Sequence, residues 1–127
     1  MRICLFFIML LPMAASAEIF TIDFVKVVDG NDEEAIYYYE NNWKRHRIEA
    51  ASRSYISSYK LLVKQSDDGQ TDILLITGYA SEADYEQREA NFQEVMRETG
   101  KDGPRLMNDK KPGEFRKVFD SAVYIGD

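Results

Sequence analysis

Thr71-Asp72-Ile73-Leu74-Leu75-Ile76-Thr77-Gly78-Tyr79 is the stretch on which the fold turns. Side chains alternate across a strand, so Ile73 and Leu75 share one face while Leu74 and Ile76 share the other. A strand apolar on both faces belongs in the middle of a sheet. Just before it, Ser66-Asp67-Asp68-Gly69 has the composition of a turn joining antiparallel strands. Tyr55 to Lys64 is then its hairpin partner. Tyr55, Tyr59, Leu61 and Val63 lie on one side of that strand, and Ser58, Lys60 and Lys64 on the other. Lysines of this kind suit an exposed edge, where charge discourages unwanted pairing.

After the apolar run, Ser81 with Asp84 predicts a capping box. A helix follows to about Thr99, presenting Tyr85, Phe92, Val95 and Met96, and Gly100 ends it. Lys101 to Glu114 is rich in proline and glycine and reads as a loop, and Phe115 to Ile125 as a last strand. Upstream, Ile19 to Val28 is a first strand and Asp29-Gly30-Asn31 a turn. Asn31 with Glu34 predicts the cap of a helix over about Asp32 to Ser52, whose buried stripe is Ile36, Tyr39, Trp43 and Ala50.

The resulting order, β-α-β-β-α-β, is the split β-α-β pattern of ferredoxin-like α+β folds. It predicts a four-stranded antiparallel sheet with the first and third strands central and two helices on one face. Two helices cover only one face, yet Phe20, Ile22 and Phe24 double the apolar residues Val25 and Val27 just as the third strand does. An open apolar face of this size is rare on soluble monomers, so a homodimer packed sheet to sheet is expected.

Met1 to Ala17 has the three parts of a signal peptide: Arg2, the apolar run Ile3 to Met13, and Ala15-Ser16-Ala17 at the cleavage position. The expected domains are therefore residues 1–17, removed on export, and 18–127, the mature domain, in the periplasm or outside the cell. Cleavage removes the single cysteine, Cys4, so no disulfide or cysteine-ligated metal is expected. Loss of Arg2 takes the formal charge from −6 to −7, which argues against nucleic acid as a partner. No membrane insertion is expected once the apolar run has gone.

Several segments carry a family resemblance. They are the aromatic first helix ending in Arg45-His46-Arg47, the strand Ser58-Tyr59-Lys60-Leu61-Leu62, and Leu74-Leu75-Ile76-Thr77-Gly78-Tyr79-Ala80 running into Ser81-Glu82-Ala83-Asp84-Tyr85. The chain resembles the dimeric α+β barrel superfamily, which includes antibiotic-biosynthesis-type monooxygenases and NIPSNAP-like proteins. The resemblance implies a dimer and a small-molecule pocket between sheet and helices. For a cofactor-independent monooxygenase acting on a small aromatic or quinol substrate, it would implicate Asn41, Asn42, Trp43 and His46.

His46, the only histidine, is the candidate catalytic residue, as a general base or a haem ligand. No second histidine supports a conventional zinc site, and no metal or cofactor is expected. Trp43, His46, Arg53 and Tyr59 are the candidate ligand-binding residues. Trp43 fits either the core or a pocket wall. Arg53 requires a carboxylate if buried, from Glu40, Glu49 or an acidic ligand. The segment Lys101 to Lys117 holds six basic and three acidic residues, beside a helix over Ser81 to Glu98 with six acidic residues and two arginines. It reads as a lid over an anionic ligand or as a solvated loop. Three functions remain open: an exported small-molecule-binding or accessory protein, a monooxygenase-like enzyme, and a dimeric interaction module.

Overall fold

The computed structural model describes residues 17–126, so the expected signal peptide lies outside the described residues except for Ala17. The chain runs β1 (Glu18–Val27), α1 (Asp32–Tyr38), a π-helical turn (Tyr39–Trp43), α2 (Lys44–Ser52), β2 (Ser58–Gln65) and β3 (Thr71–Tyr79). It continues as α3 (Glu82–Glu86), α4 (Arg88–Thr99), α5 (Pro112–Phe115) and β4 (Arg116–Gly126). The sheet is antiparallel throughout, in the order β2-β3-β1-β4. This is the ferredoxin-like α+β arrangement, with β1 and β3 central and the lysine-bearing β2 at an edge.

Local details depart from the sequence pattern for identifiable reasons. The first helix is continuous but contains a π-helical turn, where Asn41 and Asn42 donate their side-chain amides to the carbonyls of Tyr37 and Tyr38, each at 2.8 Å. Such bonds to the preceding turn compete with the helical ladder. Tyr39, Asn42 and Trp43 are all buried there. The second strand starts at Ser58, not Tyr55, because α2 closes through a Schellman motif. Ser54 takes a φ of 60°, and the amides of Tyr55 and Ser54 donate to the carbonyls of Ala50 (2.9 Å) and Ala51 (3.0 Å). Asn31 does not cap α1 with its side chain, which instead donates to the carbonyls of Val28 and Glu114. Ser81 caps as expected, accepting from the Asp84 amide at 3.1 Å, but that helix breaks at Gln87 into α3 and α4.

Between sheet and helices lie two buried clusters. Val25, Val27, Ile73 and Leu75 pack against Ala35, Tyr39, Trp43 and Phe115. Ile19 and Tyr79 pack against Ala50, Ile56 and Val95. Between the two clusters the same sheet face turns polar. Thr21 pairs with Thr77, and Asp23 with Ser121. On the reverse face Phe20, Ile22, Phe24, Leu74 and Ile76 are only partly buried, while Leu62, Phe119 and Tyr124 are exposed.

Candidate functional site

Above the polar stretch of the sheet lies a cavity of about 470 Å³. Its floor includes Thr21, Asp23 and Ser121, and its walls include Arg47 of α2, Tyr79 of β3, Tyr85 of α3, and Phe92 and Met96 of α4. The size falls within the usual range for small-molecule sites.

Arg47 is the central group. The spacing of four from Trp43 stacks its guanidinium over the indole at 4.9 Å, and Phe92 covers it at 4.0 Å. Its Nε donates to the Thr77 hydroxyl at 3.0 Å. Burial lowers its pKa to about 10, against the opposing pull of Tyr79 and Asp23, so the group remains cationic near neutrality. Among the described residues no carboxylate lies within ion-pairing distance of it. Asp23 accepts from the Ser121 hydroxyl at 2.6 Å. Tyr79 is buried edge-on to Tyr85 at 5.6 Å, and burial raises its phenol above the ordinary tyrosine range, which keeps it neutral. Arg88, also on the rim, is engaged by the Tyr85 ring at 4.0 Å and the Tyr85 carbonyl at 3.0 Å.

The residues singled out from sequence take other positions. Trp43 is buried and meets Tyr59 edge-on, with ring centroids 6.4 Å apart; the pair borders a separate cleft with Glu40, Lys44 and Lys60. Arg53 is bound by Glu49 at 3.0 Å, by Glu94 at 3.3 Å and by Glu98, a network of carboxylates that ties α2 to α4. Glu49 was an expected partner; Glu94 and Glu98 were not. His46 lines a cleft of about 250 Å³ with Tyr38, Asn42, Met96, Gly100 and Pro104. Asn41, Asn42, Trp43 and His46 are thus spread over three clefts, of which only Asn42 and His46 share one.

The basic loop does not border the Arg47 cavity. It is anchored on the outside of the first helix, where the Asn42 carboxamide donates to the Arg105 carbonyl at 2.8 Å and accepts from the Arg105 amide at 2.7 Å. Lys110 reaches Glu34 at 3.6 Å. Of the two readings of this segment, a lid or a solvated loop, neither places it over the Arg47 cavity; it forms a strap beside the His46 cleft.

Burial, followed by the charges of Arg47 and Arg45, holds the His46 imidazole below its ordinary pKa. A histidine depressed in the folded state takes up its proton more readily when unfolded. Its contribution to stability is full above the unfolded value, about 6.5, and is lost as pH falls below it. The thermal midpoint should fall between about pH 7.5 and about pH 5.5, and by less in His46→Gln, as followed by circular dichroism.

The Arg47 site escaped the sequence reading, although a signal was present. Thr21, Asp23 and Thr77 interrupt the apolar helix-facing positions of β1 and β3, and Arg47 follows Trp43 by one helical turn. Among the described residues no three histidine, cysteine, aspartate or glutamate side chains converge as metal ligands would.

No family model matches the sequence, and no curated protein matches it. Among solved structures the chain is similar to a provisionally named antibiotic biosynthesis monooxygenase from Bacillus cereus, at 18% identity and a TM-score of 0.49, over 87% of this chain and 91% of that one.

Proposed function

We propose that this chain is an exported, homodimeric protein that binds a small, partly apolar molecule in the cavity between its sheet and helices. One observation carries the reading. In the middle of its helix-facing side the sheet turns polar, at Thr21, Asp23 and Ser121, and there it is roofed by Phe92 and Met96 instead of being filled. Polar groups are normally kept off a buried face or satisfied by neighbours, so a hollow lined by them has a use beyond folding. Export rests on Met1 to Ala17, and dimerisation on the apolar reverse face of the sheet.

The test uses protein expressed as the full chain and purified from the bacterial periplasm, where it should begin at Glu18. Titration with N-phenyl-1-naphthylamine, an uncharged fluorophore that brightens in apolar surroundings, should saturate at one site per chain. Ser121→Phe, which fills the cavity floor from the exposed β4 edge, should weaken that binding about tenfold or more without lowering the thermal midpoint. Binding that is unsaturable, or unaffected by Ser121→Phe, would remove the reading.

A further inference from the structure

We infer that the ligand of this cavity is a flat hydroxylated carboxylic acid, its carboxylate held by Arg47 and its hydroxyl by Asp23. The inference rests on the reading of the cavity as a ligand site and adds the chemistry of what enters it.

Arg47 supplies the first half. A guanidinium has five N–H donors in one plane. Nε is committed to Thr77, and the two rings hold the plane in place, with Phe92 at 4.0 Å and Trp43 at 4.9 Å. Among the described residues the terminal nitrogens have no carboxylate partner, although the group lines the cavity. A planar fork of donors held against two aromatic rings is a preorganised receptor for a carboxylate, which can accept two parallel bonds from it. Partial burial strengthens the attraction, because less water screens it.

Asp23 supplies the second half. It lines the same cavity and, among the described residues, accepts one side-chain hydrogen bond, from Ser121, which leaves acceptor sites unused. The protein has placed an acid and a base in one hollow without letting them meet. Had their role been structural, a direct ion pair would have satisfied both at less cost. A simple carboxylate on Arg47 would face the negative charge of Asp23. A ligand that turns a hydroxyl toward Asp23 converts that repulsion into a hydrogen bond. The other rim charges alter this little: Arg88 is held by Tyr85, and Glu89 is exposed to solvent. Phe92, Tyr79 and Tyr85 provide aromatic walls for a flat body between the two polar ends.

Isothermal titration of the periplasmic protein with 3- and 4-hydroxybenzoate provides the test, with benzoate and the two methyl esters as comparisons. At least one hydroxybenzoate should bind about tenfold or more tightly than its methyl ester, and more tightly than benzoate. Arg47→Gln should remove the preference for acid over ester, while Arg47→Lys should restore part of it. Asp23→Asn should remove the preference for hydroxybenzoate over benzoate. Retention of naphthylamine binding by each variant would show that fold and cavity survive. Equal binding of acid and ester by the unaltered protein, or an unchanged preference in Arg47→Gln, would overturn the inference while leaving the cavity reading intact. Failure of the naphthylamine to bind the unaltered protein would overturn the cavity reading itself.

Discussion

Unaltered protein should sediment as a dimer at micromolar concentrations, and protein carrying Ile22→Lys as a monomer. Ile22 lies on the reverse face of central strand β1, directly between Ile76 of β3 and Ala122 of β4. Around it Phe20, Phe24 and Leu74 are half-buried, and Lys60, Lys64 and Lys26 are exposed toward the margins. An apolar centre with a charged rim is the anatomy of a protein interface. In the monomer a lysine at position 22 stays solvated, so far-UV circular dichroism and the thermal midpoint of the isolated chain should change little. In a twofold pair the substitution enters the interface twice. At about 2 kcal/mol for each copy, the total of about 4 kcal/mol weakens association about a thousandfold. Sedimentation velocity reads the change directly. A monomeric unaltered protein would remove the dimer, and an Ile22→Lys dimer would move the interface to another surface.

Trp43→Ala should cost about 3–5 kcal/mol of folding stability, whereas Trp43→Phe should cost less than about 1.5 kcal/mol. The indole is buried among Val25, Ile73 and Leu75, meets Tyr59 edge-on, and supports the Arg47 guanidinium from below. Truncation to alanine opens a cavity in the larger core cluster and frees Arg47 from one of its two rings. Phenylalanine keeps an aromatic surface in place. It also removes the indole Nε1, a buried donor with no partner among the described residues, so part of the lost packing is offset. Urea titration followed by circular dichroism separates the two variants. Against a typical domain stability of about 5–15 kcal/mol, the Trp43→Ala cost is a fifth or more of the total. Equal costs for the two substitutions would mean that the ring does not pack as described.

The architecture was legible because it depends on short-range patterns. Alternation in β1 and β3 identified central strands, the Ser66–Gly69 turn joined β2 to β3, and Ser81 marked the start of a helix. Errors clustered where a side chain competes with backbone regularity. Asn41 and Asn42 divert carbonyls and create the π-helical turn, Ser54 closes α2 and delays β2, and Asn31 is drawn to the chain turn and the distant Glu114 carbonyl. Nothing local in the residues around Asn31 indicates that Glu114 will lie beside it.

The site illustrates the same division. By itself the sequence determined the order of elements, the central and edge strands, and the doubled apolar faces, because each follows from the periodicity of neighbouring residues. It also drew attention to Trp43, His46, Arg53 and Tyr59, the chemically conspicuous side chains. Only the tertiary structure decided which groups share a space. It gave Arg53 to the α4 carboxylates and His46 to a smaller cleft under the strap. It set Arg47, Asp23, Tyr79 and Ser121, which come from four different elements, around one hollow. Strand register and helix docking set those meetings, and both are products of long-range packing that no local pattern encodes.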